Sequence, residues 1–122
     1  MEFNNYQEKV LTDLIYKDFI RELNDDQEKF KRLMGLSYVV LGLTGEAGEL
    51  AEKVKKIMRD DLGNIREDQI EELAKELGDV LWYVAAIAKE LNLELDYIAK
   101  QNIIKLDNRK KNNKLKGKGD DR

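Results

Sequence analysis

Proline is missing from all 122 residues of this chain. Proline breaks helix interiors, because it lacks an N–H donor and clashes with the preceding turn. A chain without it, rich in Leu, Ile, Lys and Glu, is free to run long helices. The apolar residues recur at helical spacing. Val10, Leu11, Leu14, Ile15, Phe19 and Ile20 predict a helix over about residues 5–22, capped by Asn4 or Asn5 and ended by Asn24-Asp25-Asp26. A second helix is expected over 27–59, followed by a loop in which Gly63 can take positive φ. The stripe Ile70, Leu73, Leu77, Val80, Val84, Ile87 and Leu91 predicts a third helix over 67–91, with Asn92 as its stop. A fourth, over 95–110, carries Ile98, Ile103 and Leu106. The expected fold is all-α, a bundle of four to five helices forming one domain over 1–110, with a basic tail over 111–122. The unbroken apolar run Val80–Ala88 predicts a helix buried on more than one side, at the centre of a homo-oligomer.

The chemistry open to such a chain is narrowed by two further absences. There is no Cys and no His, so thiolate nucleophiles, zinc-thiolate sites and histidine general bases are all excluded. Any metal must be a hard cation that accepts oxygen ligands, Mg²⁺, Mn²⁺ or Ca²⁺. No apolar run approaches the ~20 residues needed to span a bilayer. The first ten residues lack the apolar core of a signal peptide, which predicts a cytoplasmic protein with no membrane partner. Charge is divided unevenly. Residues 1–104 hold 14 basic and 22 acidic residues, a net of −8, whereas 105–122 hold 8 and 3, a net of +5. The basic end can meet phosphates, nucleic acid or the chain's own acidic body.

The second predicted helix contains Gly35, Gly42, Gly45 and Gly48. Each costs ~1 kcal/mol relative to Ala in a helix interior. Either the helix kinks near 42–45, or another backbone or a ligand comes close. Beside these glycines stand Glu46 and Glu49, three apart and so on one face, which Lys53 and Lys56 continue. On the third helix, Glu76 and Asp79 repeat the spacing. If the two helices pack antiparallel, both acidic pairs converge. Their mutual repulsion would raise their proton affinity, and a hard divalent cation would relieve it. With 25 acids in the chain, such pairs also arise as plain solvated face. The costly glycines favour the site. A di-iron centre of the ferritin type is disfavoured, because it needs histidine.

The run Gly42-Leu43-Thr44-Gly45-Glu46-Ala47-Gly48-Glu49-Leu50-Ala51-Glu52-Lys53-Val54-Lys55-Lys56, with Lys75-Glu76-Leu77-Gly78-Asp79-Val80-Leu81-Trp82-Tyr83 after it, closely resembles the MazG-like nucleoside triphosphate pyrophosphohydrolases. Their ExxE, spacer, ExxD signature is met by Glu46-x-x-Glu49 and Glu76-x-x-Asp79. Asn102-Ile103-Ile104-Lys105-Leu106-Asp107-Asn108-Arg109 is similar to their last helix, and Gly117-Lys118-Gly119-Asp120-Asp121-Arg122 to the end of their short members. The resemblance implies a homodimer or homotetramer that uses Mg²⁺ to hydrolyse a nucleoside triphosphate to monophosphate and pyrophosphate, as nucleotide-pool house-cleaning. It implies Glu46, Glu49, Glu76 and Asp79 as metal ligands, with Glu46 or Glu49 activating water. Lys53 and Lys56 lie where they could reach phosphate oxygens, or stay solvated. Tyr83 matches an aromatic near the sugar or base, or packs in the core. Asn102 and Lys105 match nucleotide contacts, and Arg109 would close over the phosphates. Trp82 lies on the far side of its helix from Glu76 and is expected in the core or an interface.

A non-catalytic helical module, binding nucleotide or nucleic acid through the basic tail, is the alternative; the tail has no aromatic residue to stack on single strands, so nucleic acid is not the expected partner.

Overall fold

In the computed structural model, residues 3–10 and 16–112 are described. They contain five helices and no strand: α1 (Phe3–Val10), α2 (Tyr16–Asn24), α3 (Gln27–Asp60), α4 (Glu67–Glu90) and α5 (Leu95–Lys111). They fall into two compact units that divide between Gly35 and Leu36.

The first unit holds α1, α2 and the opening turns of α3. The helix predicted over 5–22 is seen as its two ends, α1 and α2, and residues 11–15 lie outside the described residues. The start of α1 at Phe3 puts Asn4 and Asn5 inside the helix, not at its cap. The stop predicted at 24–26 is present, and Asp26 begins the next helix. Its Oδ1 accepts from the backbone N–H of Lys29 at 3.1 Å, the bond expected of an N-cap aspartate. That bond is the leading reason the Asp26 carboxyl is held below its ordinary range.

The second unit is built on the antiparallel pair of α3 and α4. No break interrupts α3, whose residues are helical from Gln27 to Asp60 despite its glycines. The Thr44 hydroxyl donates to Val40 O one turn back at 3.0 Å. The chain reverses at Leu62 (φ 51°) and Gly63 (φ 85°), both left-handed. Glycine takes that conformation at no steric cost, whereas leucine does not. Two side chains then lock the turn. Asp61 accepts from Arg66 Nη1 at 3.1 Å and Gln69 Nε2 at 2.7 Å, while the Arg66 backbone N–H donates to Gln69 Oε1 at 3.0 Å.

The end of α4 is a Schellman closure. Asn92 is left-handed (φ 56°), the Leu93 N–H donates to Ala88 O and the Asn92 N–H to Lys89 O. Asn92 thus ends the helix where its sequence position predicted.

Few side chains in this unit are buried. Val39, Ile57 and Ala88 are the buried apolar ones among the described residues, with the Arg109 guanidinium beside them in class at 6% exposure. Trp82 is 62% exposed and Leu41 72%, and Tyr38, Leu77, Leu81, Ile103 and Ile104 are also exposed. The expectation that α4 is enclosed on several sides is not met within one chain. No helix among the described residues is long and apolar enough to cross a membrane.

Candidate metal centre

The hairpin lock sets the register of α3 against α4, and that register decides which side chains meet. Lys53 Nζ lies 3.6 Å from Glu72 Oε2 and 3.4 Å from Glu76 Oε1. Further from the loop, carboxylate oxygens of Glu46, Glu49 and Glu76 all stand within 4.8 Å of one another. Further still, the ring of Tyr83 lies against the backbone of Gly42. The helices therefore pair residue by residue along one seam, and the acidic pairs of both helices are brought to the same level.

Glu46 and Glu76 are half-buried and Glu49 is exposed. The Glu46 carboxyl is pushed above its ordinary range, first by desolvation and then by the charges of Glu49, Asp79 and Glu76. Asp79 is exposed and outside the three-oxygen cluster, but its charge is felt at Glu46. The donor set is all oxygen, multiply anionic and convergent, which fits a hard divalent cation. Among the described residues this is the group of acids whose oxygens stand close enough together to hold a metal ion.

A family comparison adds to this geometry. The family model of the MazG nucleotide pyrophosphohydrolase domain matches residues 35–113.

The chain belongs to the MazG family.

The matched span opens at the boundary of the second unit and takes in the whole α3–α4 seam. The chain is also 50% identical over 88 residues to the Gene 37 protein of Mycobacterium phage L5, covering 72% of this chain and 77% of that one. No solved structure matches the chain.

The remaining predicted site residues of this MazG domain fall elsewhere. Lys53 borders the acidic cluster, engaged with Glu72 and Glu76, not extended toward open solvent. Lys56 pairs with Glu52 at 3.7 Å. Both lysines line a cavity of about 380 Å³ with Asp60, Asp61, Arg66 and Gln69, at the loop end of the seam. Tyr83 is half-buried and makes an edge-to-face contact with Trp82, centroids 5.0 Å apart at 87°. Asn102 and Lys105 line a separate open hollow on α5 with Tyr97, Ile98 and Gln101. Arg109, predicted to close over phosphates, is buried. The basic tail beyond residue 112 lies outside the described residues.

The glycines divide as well. A Cβ on Gly42 would overlap the Tyr83 ring, whereas nothing among the described residues approaches that position at Gly45, Gly48 or Gly78. Sequence reasoning missed Arg66 and Gln69, which fix the hairpin. A signal was available, since Gln69 stands three residues after Arg66 at the start of α4, the spacing of a side chain that caps the first turn.

Proposed function

We propose that this MazG domain is a Mg²⁺-dependent pyrophosphohydrolase of nucleoside triphosphates, deoxynucleotides included, with Mn²⁺ able to replace Mg²⁺. The supporting observation is the convergence of Glu46, Glu49 and Glu76 oxygens within 4.8 Å, on the residues that carry the family's motif. Glu46, Glu49, Glu76 and Asp79 hold the cation. When bound, it neutralises phosphate oxygens and the charge that develops on the leaving pyrophosphate. Glu46 or Glu49 accepts a proton from the attacking water. The water oxygen bonds to the α-phosphorus, the bond from that phosphorus to the α,β-bridging oxygen breaks, and pyrophosphate departs with that electron pair. Lys53, Lys56, Asn102, Lys105 and Arg109 are assigned to the substrate's phosphates and nucleoside, and Tyr83 to its sugar or base.

The working unit is a homodimer or homotetramer in the cytoplasm, cleaning the nucleotide pool. Supporting it is the exposure of Tyr38, Leu41, Leu77, Leu81 and Trp82, large apolar side chains left in water on the single chain. Domain limits of 1–110 with a separate tail over 111–122 belong to the same proposal.

The test is a panel of standard and modified nucleoside triphosphates with Mg²⁺, assayed separately for pyrophosphate and orthophosphate. Pyrophosphate release from at least one of them is expected. Absence of turnover across the panel, or orthophosphate as the product, contradicts the proposal.

A further inference from the structure

The contact between Gly42 and Tyr83 lies beyond the acidic cluster, one helical turn from Glu46 on α3 and one from Asp79 on α4. Gly42 precedes Glu46 by four residues and Tyr83 follows Asp79 by four, so each shares a helix face with an acidic residue of the motif. The seam is thus bounded on one side by the Lys53 ion pairs and on the other by this contact. Glycine is needed there. A Cβ at position 42 would stand 2.7 Å from Tyr83 Cδ1 and closer still to Cε1 and Cζ, which real Cβ atoms do not tolerate. The ring is half-buried and also meets Trp82 edge to face.

We infer that Gly42 and Tyr83 act together as a spacer. The glycine lets the tyrosine ring lie on the α3 backbone, and the thickness of that ring sets the distance between α3 and α4 where Glu46 and Glu49 must meet Glu76. The inference rests on the proposed metal site. Tyr83 and Gly42 are positioning residues in it, acting through the carboxylates. The spacer accounts for the ring over Gly42 where Gly45 and Gly48 meet nothing among the described residues.

The experiment is a Mn²⁺ titration, with free Mn²⁺ read by electron paramagnetic resonance and helix content by circular dichroism. It compares the unaltered protein, Gly42→Ala, Tyr83→Ala, the double variant and Glu49→Gln. Gly42→Ala is expected to weaken Mn²⁺ binding by about tenfold or more, the size seen when support around a metal ligand is disturbed. In the Tyr83→Ala background the same substitution is expected to change binding by less than about twofold, since the clashing ring is gone. Should Gly42→Ala not fold, a folded, Mn²⁺-binding double variant supports the spacer and an unfolded one overturns it. Equal affinity in the unaltered protein and Gly42→Ala, or an equal penalty in both backgrounds, overturns the spacer and leaves the metal site standing. Unaltered protein that binds no better than Glu49→Gln removes the metal site, and the spacer with it.

Discussion

The α3–α4 seam carries two acidic levels that are treated in opposite ways. At the loop, the carboxylate of Asp61 is met by Arg66 and Gln69 at 3.1 and 2.7 Å, donor for acceptor. A few turns inward, Glu46, Glu49 and Glu76 face one another, and Lys53 touches only the edge of the group, at Glu76. The same helix pair thus closes one level with its own hydrogen bonds and leaves the other short of positive charge. The first level serves the fold, since its partners come from within ten residues and complete it. The second is the level proposed to serve chemistry, because concentrated like charge carries a cost that a bound cation would remove.

The largest expected effect breaks the inner level. The Glu49→Gln/Asp79→Asn variant should lose at least about 100-fold in pyrophosphate release, since metal assistance to such reactions amounts to several kcal/mol. Its thermal unfolding should change little or rise. A variant that keeps full turnover would show that the acids are ordinary surface. The complementary change breaks the outer level. Gln69→Leu removes the bonds to Asp61 and to the Arg66 backbone, and should lower stability by about 1–2 kcal/mol in urea unfolding while kcat is kept. Loss of kcat at unchanged stability would mean that the two levels are not separable.

A subtler effect concerns protons. Glu46 binds its proton more tightly in the folded chain than in the unfolded one, so its contribution favours folding at low pH and is lost as pH rises through its raised range. Metal-free Glu46→Gln should therefore melt higher than the unaltered protein at neutral pH, with the gap closing toward acid pH, by calorimetry across a pH series. A gap that widens toward acid pH would reverse the sign of this argument. The smallest effect is at the turn. Leu62 holds φ 51° with its side chain exposed, so Leu62→Gly should be neutral to stabilising by up to about 1 kcal/mol, with activity unchanged.

Much of this was legible in the residues. Helical spacing and the missing prolines predicted α3, α4 and α5 to within about a turn, and Gly63 and Asn92 mark the reversals because few other residues enter the left-handed region readily. The i,i+3 acidic pairs announced a common level on two helices, since spacing fixes which residues share a face. What spacing does not carry is depth. Nothing in the sequence distinguished Gly42, which receives a ring, from Gly45 and Gly48, which receive nothing from the described residues. Nor did it show that Arg109, read as a phosphate contact, is buried, or that Lys53 spends its charge on Glu72 and Glu76. These depend on the rotation of each helix about its axis, which is set by packing and not by period. The run Val80–Ala88 suggested enclosure by its composition, yet Leu81 and Trp82 are exposed in one chain while Ala88 is buried.

The central claim is that the acidic level of α3 and α4 directs water to the α-phosphorus of a nucleoside triphosphate. Its most direct test is turnover of a nucleotide substrate in ¹⁸O-labelled water with Mg²⁺, followed by ³¹P NMR of the products. The account predicts label in the nucleoside monophosphate and none in the pyrophosphate. Label in pyrophosphate or in orthophosphate would place the attack elsewhere and contradict it.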